Sequence, residues 1–290
     1  MIIGMSETNV YEYQNPVKLN GDSGIYFSVP DSVILDADAN DKRVTAFSFF
    51  SIRRGLDRGV SFSINSIVKW IGRKQNRNSN GINGKLIQAI ERLRDDEYIS
   101  FSDKLTNSSC IDATFNTCKV SEECNRGRFA VIYFDELKKI LDYKNPNSKD
   151  AFLNNDVILL VFAYLRMEIY RRSNSLRPEE INIGNKRSHE LDVETRRIRC
   201  PEAYDCYYYE IAEKLGISAR TVSKAVVVLN ELGLIYSESL PRVNVDGKWR
   251  TDRTIFCNAY RREGGYLLKD GSEYYLPEID RKKKKLRIRS

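Results

Sequence analysis

The stretch EIAEKLGISARTVSKAVVVLNELGLIY, residues 210–236, decides the fold predicted for this chain. Ile211 and Leu215 have the spacing of one helix face, and Gly216 can adopt the positive backbone angle at which a helix ends. Ser218 is suited to cap a second helix that begins directly afterwards. The stretch therefore predicts two short helices that meet at a tight turn.

The second helix of this pair is predicted to have an apolar face and a cationic face. The apolar stripe consists of Val222, Ala225, Val226 and Leu229. Side chains that can donate hydrogen bonds lie on or beside the opposite face: Ser218, Arg220, Thr221, Ser223 and Lys224. Beyond this helix, Asp246 and Gly247 separate two strand-like runs, which predicts a hairpin that carries Lys248 and Arg250.

The order helix, turn, helix, strand, hairpin resembles the core of bacterial winged-helix proteins. The segments IAEKLGISARTVSKAV and LNELGLI carry the resemblance, which covers roughly fifty residues with the hairpin, or wing, included. In such domains the second helix lies in the major groove and the wing reaches the neighbouring backbone or minor groove. The resemblance implies groove contacts by the outward side chains of that helix and wing contacts by Lys248 and Arg250. The alternative for each cation is a solvated surface charge.

The first half of the chain is predicted to contain a second copy of these parts. NSIVKWIG, residues 65–72, predicts a helix capped by Asn65, and GKLIQAIERLRDDEYISFS, residues 84–102, predicts a helix that runs into a strand. In this copy LRDDEYIS takes the place of LNELGLIY. The loop between the helices is rich in side chains that can bind phosphates and base edges, and its candidate DNA contacts are Arg73, Lys74, Arg77, Asn83 and Lys85. An ordinary surface loop is the alternative.

Further segments extend the repeat. YFSVPDSVIL, residues 26–35, and YFDELKKILDY, residues 133–143, each precede the first helix of a copy. In the first copy the polar stretch from Leu105 to Arg128 occupies the wing position, and RFAVIYF, residues 128–134, is predicted to be the return strand. In the second copy TRRIRC, residues 195–200, is the candidate for the short strand before the helix pair.

The predicted fold class is mainly α with small β-hairpin wings, an α+β chain with two winged helix-turn-helix domains in tandem. The expected segments are an N-terminal arm at 1–24, a first winged-helix domain at 25–145, a second at 146–268 and a basic C-terminal tail at 269–290. The charged insertion at 173–203 is longer than compact domains usually carry. A mobile loop, a subunit contact and a DNA-contacting element all remain open for it.

The net charge of +7 is concentrated at one end of the chain. The last ten residues hold seven Lys or Arg and no acid, and the other 280 residues have 40 basic and 40 acidic side chains. Such a tail is typical of a flexible arm that binds phosphates in a salt-sensitive manner. A solubilising disordered end is the alternative.

Composition argues against several other classes. The single histidine, His189, and the spacing of the six cysteines do not suit a zinc site, and we expect neither a metal nor a cofactor. The longest apolar run has 9 residues, whereas a membrane span needs about 20, so a soluble, cytoplasmic and nucleoid-associated protein is expected. Without a phosphate loop or a nucleophile elbow we expect no enzyme, and the tyrosines of CYYYE, residues 206–210, are expected to pack rather than react.

Tandem winged helices resemble the architecture of replication initiators from plasmids, phages and mobile elements. The function expected from this resemblance is sequence-specific binding of double-stranded DNA at an origin, with a second copy of the chain or replication proteins as further partners. A transcriptional regulator and a helicase-loading assembly protein are the alternatives, and no membrane partner is expected.

Overall fold

A computed structural model of the protein describes residues 26–37, 42–54, 59–76, 78–144, 154–171, 203–239, 243–245, 248–250, 253–258, 265–267, 273–275 and 287–288. The chain belongs to the α+β class, with helices and small antiparallel sheets. Within those ranges no helix combines the length and apolarity needed to cross a bilayer. Arg77, the candidate strand TRRIRC and the charged insertion up to residue 202 lie outside the described residues.

The two segments that open with Tyr-Phe pair with each other. Strand β1, Tyr26–Pro30, leads directly into helix α1, Asp31–Leu35, and strand β5, Phe129–Tyr133, leads directly into helix α6, Phe134–Asp142. The strands are antiparallel, with Tyr26 opposite Tyr133 and Pro30 opposite Phe129. The likeness of the two sequences therefore corresponds to two β-α units that meet strand to strand.

Between these units the chain forms helices and a three-stranded sheet. The elements are α2 (Arg43–Arg53), β2 (Val60–Phe62), α3 (Ile64–Trp70), α4 (Ile82–Asp95), β3 (Ile99–Ser100), β4 (Ile111–Phe115) and α5 (Thr117–Arg126). Strand β4 lies in the middle of the sheet, between β2 and β3. The prediction that RFAVIYF returns from the wing is therefore wrong, because β4 is the return strand and RFAVIYF supplies β5. The alternation of IDATF places Ile111, Ala113 and Phe115 inward within a stretch that is polar overall.

Aromatic side chains fill the core of this region. Phe50 on α2 meets Phe62 on β2 with ring centroids 4.9 Å apart, and Phe47 meets Phe115 at 5.5 Å. Three apolar residues of α4, Leu86, Ile90 and Leu93, are fully buried. Ala89 completes the buried stripe of α4, and Ile87 is only half-buried.

The later part of the chain repeats this order. Helix α7 (Asn155–Arg171) is followed by β6 (Ala203–Tyr207), α8 (Tyr208–Lys214), α9 (Ala219–Glu231), β7 (Ile235–Ser239), β8 (Val243–Val245), β9 (Lys248–Arg250) and β10 (Arg253–Asn258). Strand β10 lies between β6 and β7, as β4 lies between β2 and β3, and β8 pairs with β9 in a separate hairpin. The same sheet order thus occurs twice, and the strand before the second helix pair is β6.

The end of the chain contains a further small sheet. Strand β12 (Glu273–Tyr275) pairs with β11 (Gly265–Leu267) and with β13 (Arg287–Ile288), all antiparallel. Two of these strands lie within the predicted tail at 269–290, so that segment contains secondary structure where a flexible basic arm was expected.

The two helix pairs begin and end with the same hydrogen bonds. Ser63 N–H donates to Ser66 Oγ at 3.0 Å before α3, and Tyr207 N–H donates to Glu210 Oε2 at 2.9 Å before α8. The cap of α3 is Ser63, whose Oγ accepts from Ser66 N–H, and the assignment of Asn65 as the cap is wrong. In both pairs, therefore, the backbone N–H before the first helix donates to a side chain three residues later, Ser66 or Glu210.

The helix ends correspond equally closely. Tyr98 N–H donates to Leu93 O at 2.9 Å, and Leu234 N–H donates to Leu229 O at the same distance. Glu97 and Gly233, which precede these donors, have positive φ angles of 65° and 66°. The alignment of LRDDEYIS with LNELGLIY therefore describes the same helix termination twice.

A buried ion pair joins α6 to α7. Arg166 Nη2 donates to Glu136 Oε1 at 2.6 Å, and both side chains are almost completely buried. The guanidinium also lies 4.8 Å from the centre of the Phe162 ring.

Backbone contacts divide the chain into two compact units. One comprises Ser23–Met167 and Ile211–Val228, and the other comprises the remaining residues. The first unit thus includes most of α7 and of the helix pair α8 and α9. The predicted boundary at residues 145 and 146 falls in a segment outside the described residues and stays a prediction.

Candidate nucleic-acid interface

The turn between α8 and α9 is fixed by the chain itself. Gly216 has a φ of 61°, and Ile217 N–H donates to Ala212 O at 3.0 Å, which closes the first helix. Ser218 Oγ then accepts from Thr221 N–H at 3.1 Å and caps the second helix. Because these hydrogen bonds engage backbone groups at the end of α8 and at the start of α9, the side chains at the start of α9 project from a fixed backbone.

The candidate residues on α9 differ in exposure. The four predicted inward residues, Val222, Ala225, Val226 and Leu229, are all buried. On the other side Ser218 and Arg220 are exposed, and Thr221, Ser223 and Lys224 are half-buried. The hydroxyls of Ser218 and Thr221 lie 2.8 Å apart and are engaged in the cap. Arg220 and Lys224, one turn apart, are the two cations of this helix.

Val227 lies on the same face and was not predicted. It follows Arg220 and Lys224 at helical spacing, and 54% of its surface is exposed. An exposed valine beside two cations could contact the methyl group of thymine in a major groove. Its position in the run VVV concealed it, because the neighbouring Val226 and Val228 are buried.

The two wing candidates lie in the hairpin of β8 and β9. Lys248 pairs with Val245 and Arg250 pairs with Val243 in the strand register. Both residues therefore occupy the returning strand of the predicted wing. The turn residues Asp246 and Gly247 lie outside the described residues.

Three candidates from the first copy line one open cleft. Arg73, Lys74 and Lys85 face a space of about 520 Å³ together with Lys42. Asp156 is the one acidic residue that lines this cleft. Four cations and one carboxylate give the cleft a net positive charge, which favours a phosphate group.

The carboxylate of Asp156 is held by partners on two sides. Lys42 Nζ donates to Oδ2 at 2.9 Å, and Thr45 Oγ1 donates to Oδ1 at 2.9 Å. Arg73 Nη2 lies 3.8 Å from Oδ2. Lys42 and Asp156 are both buried, so their charges largely cancel each other, and the positive charge at the mouth of the cleft comes from the other cations.

The prediction that Asn83 contacts DNA is corrected by its burial. Asn83 has no exposed surface, and its Nδ2 donates to Asn107 Oδ1 at 3.0 Å and to Asn65 Oδ1 at 3.3 Å. Its Oδ1 accepts from Asn76 N–H at 3.0 Å. Every polar atom of the amide is in use, so Asn83 fastens the loop to the start of α4 instead of reading a base.

The sequence did not identify Lys42 because it precedes α2 and reads as part of a charged helix start. Only folding brings it beside Asp156, more than a hundred positions later in the chain. No pattern within a short window links these two residues.

Of the tyrosines before and within α8, Tyr208 packs beside an aromatic ring as predicted. Tyr208 lies 6.1 Å from the Phe256 ring, and burial raises the pKa of its phenol, although a hydrogen bond with Thr254 opposes the shift. Tyr209 is exposed and stacks on Tyr207 with centroids 5.2 Å apart. A raised pKa keeps Tyr208 protonated and makes its phenolate less available as a nucleophile.

Comparison of the chain with protein-family models, with curated proteins and with solved structures gave no match.

Proposed function

We propose that the chain binds double-stranded DNA sequence-specifically through two winged helix-turn-helix domains. The recurrence of one architecture supports this: each copy has a first helix, a strand, a helix pair and a sheet in which the last strand lies centrally. The matching hydrogen bonds at the ends of both helix pairs support it further. In this proposal α4 and α9 are the helices that enter major grooves.

The single observation that carries the DNA proposal is the position of the cations on these repeated parts. Arg220 and Lys224 lie on the outward side of α9, and Lys85 at the start of α4 lines the cationic cleft with Arg73 and Lys74. Cations at the equivalent helix of both copies fit a duplex whose phosphates flank each groove. In this arrangement the cleft binds a backbone phosphate and α9 reads base edges.

Replication initiation at a plasmid, phage or mobile-element origin is the biological role we propose. Two reading domains in one chain can bind an extended site without a second subunit. Two alternatives to this role are transcriptional regulation and replisome assembly without sequence preference.

Removal of charge from α9 tests the recognition helix. Arg220→Ala and Lys224→Ala should each weaken binding to a selected duplex by about 1 to 3 kcal/mol, roughly 5- to 150-fold. Lys138→Ala, which removes an exposed cation from α6, is the matched control and should have little effect. If both α9 variants bind with wild-type affinity and preference, α9 is not the recognition helix.

A second experiment separates the biological roles. Duplexes selected from a random pool should contain a defined sequence, and repeated copies of it beside an origin would support initiation. A single palindrome beside a promoter would support regulation. Binding that shows no sequence preference at any salt concentration would favour an assembly protein.

Charge removal in the cleft has a different signature. The double variant Arg73→Ala, Lys74→Ala should weaken binding to all duplexes alike. It should also reduce the slope of log affinity against log salt by about one unit per phosphate contact. A loss confined to one sequence would assign the cleft to base reading instead.

A further inference from the structure

The matching helix ends establish which residues of α4 and α9 are equivalent. Glu97 corresponds to Gly233 and Leu93 to Leu229, because the positive φ angles and the closing hydrogen bonds coincide. Counting back from these positions pairs the buried residues of the two helices: Leu86 with Val222, Ala89 with Ala225 and Ile90 with Val226, all of them buried. The equivalence therefore holds along the whole apolar stripe.

The same equivalence fixes the outward positions. Gly84, Lys85 and Gln88 of α4 occupy the places of Arg220, Thr221 and Lys224 of α9. Gln88 is exposed and Lys85 is half-buried. The chemical groups at these positions differ between the helices, since α9 has two cations where α4 has a glycine and an amide.

Gly84 is excluded as a reading position by the loop before α4. A Cβ atom at Gly84 would lie 2.0 Å from the Ser79 carbonyl oxygen, so the loop backbone occupies the space that Arg220 has in α9. Lys85 lines the cationic cleft and is suited to a phosphate. Gln88 is therefore the side chain of this set whose position and exposure suit a base edge.

We propose that Gln88 reads adenine in the part of the DNA site bound by α4, whereas Arg220 and Lys224 read guanine in the part bound by α9. A glutamine amide offers a donor and an acceptor side by side, which match N7 and N6 of adenine. Arginine and lysine offer only donors, which match O6 and N7 of guanine. The two halves of the site are thus unlike in sequence, although the two helices are equivalent in structure.

This inference rests on the proposed function, and one selection experiment tests both. The full chain and its variants Gln88→Ala, Gln88→Lys and Lys224→Gln are each used to select duplexes from a random pool. The wild type should select adenine at one position of one half-site. Gln88→Ala should lower the preference for that base roughly ten-fold or more and leave the other half-site unchanged.

The exchange variants make the prediction directional. Gln88→Lys should replace adenine by guanine at the same position, and Lys224→Gln should replace guanine by adenine in the other half-site. Because Gln88 is exposed, the unfolding midpoint of its variants should equal that of the wild type, which controls for misfolding.

The remaining outcomes distinguish a wrong assignment of Gln88 from a wrong proposed function. Unchanged base frequencies in the Gln88 variants, with specific binding retained, overturn the assignment of Gln88 and leave the proposed function standing. An equal loss of affinity on every duplex also overturns it, because it shows a backbone contact. A wild type that selects no sequence overturns the proposed function itself.

Discussion

Replacing Glu97 with glycine is expected to stabilise the protein, although it removes a side chain. Glu97 has a φ of 65° and is the one described residue other than glycine with a positive φ. The left-handed conformation costs a residue with a Cβ about 1 to 2 kcal/mol. Glycine avoids this cost but gives the unfolded chain more freedom, which offsets about 0.4 to 1 kcal/mol. The expected net gain is about 0.5 to 1 kcal/mol.

Gly233 provides the reciprocal experiment. A Cβ added at Gly233 would meet no heavy atom within 4 Å, so Gly233→Ala changes the backbone preference without a steric clash. It should therefore destabilise the protein by about 0.5 to 1 kcal/mol, the reverse of the gain at Glu97. If Glu97 and Gly233 are equivalent, Glu97→Gly should raise the free energy of unfolding and Gly233→Ala should lower it.

Charge is the main complication, because Asp95 and Asp96 lie beside Glu97 in the sequence. Glu97→Ala removes the same charge but keeps the Cβ, so the difference between Glu97→Gly and Glu97→Ala isolates the backbone term. Differential scanning calorimetry of the full-length variants should show Glu97→Gly melting about 1 to 3 °C above Glu97→Ala. If Glu97→Gly is no more stable than Glu97→Ala, the shared termination, and with it the residue equivalence, is wrong.

Three further predictions concern the interior and the thiols. Asn83→Ala should cost about 2 to 4 kcal/mol in chemical denaturation, because it removes the three hydrogen bonds of a fully buried amide; an undetectable loss would show that these bonds do not form in solution. Glu136→Ala should cost about 3 to 5 kcal/mol by leaving the Arg166 charge buried, and combining Glu136→Leu with Arg166→Met should recover most of it; an equal cost in the double variant would contradict this. Burial raises the pKa of Cys124 to about 12, so peptide mapping after alkylation at pH 8 should find the exposed Cys118 modified and Cys124 protected. Above pH 9 the Cys124 thiol ionises in the unfolded chain but not in the folded chain. The free energy of unfolding should therefore fall with rising pH, and it should fall less in Cys124→Ala.

The helix pair of the second copy could be predicted almost residue by residue. Gly216 has the positive φ that its position in the sequence indicated, and Ser218 caps α9. These signals act through hydrogen bonds between residues at most five positions apart. A short window therefore contains everything that determines them.

The first copy could be predicted only in part. The repeat of LRDDEYIS is confirmed at Glu97, yet glutamate gives no sign of the positive φ it adopts there. The return strand was misplaced because IDATF pairs with two strands at long range, and its polar neighbours hide the alternation. Sheet order depends on partners that no local pattern identifies.

Some residues of the candidate site could be predicted from the sequence, and others could be placed only by the folded structure. Arg220 and Lys224 could be placed on the outward side of α9 from periodicity, because one face of a helix repeats every few residues. Asn83 looked like a surface amide in a polar loop, and only the folded chain places it between Asn65, Asn76 and Asn107.

By itself, the sequence determined the turn between α8 and α9, the cap of α9 and the apolar face of α9, because those properties depend on neighbouring residues. The tertiary structure decided which polar residues are buried and which strands pair. It brought Lys42 to Asp156 and joined β1 to β5. These contacts depend on chain segments about a hundred residues apart, whose meeting is governed by burial of the shared core.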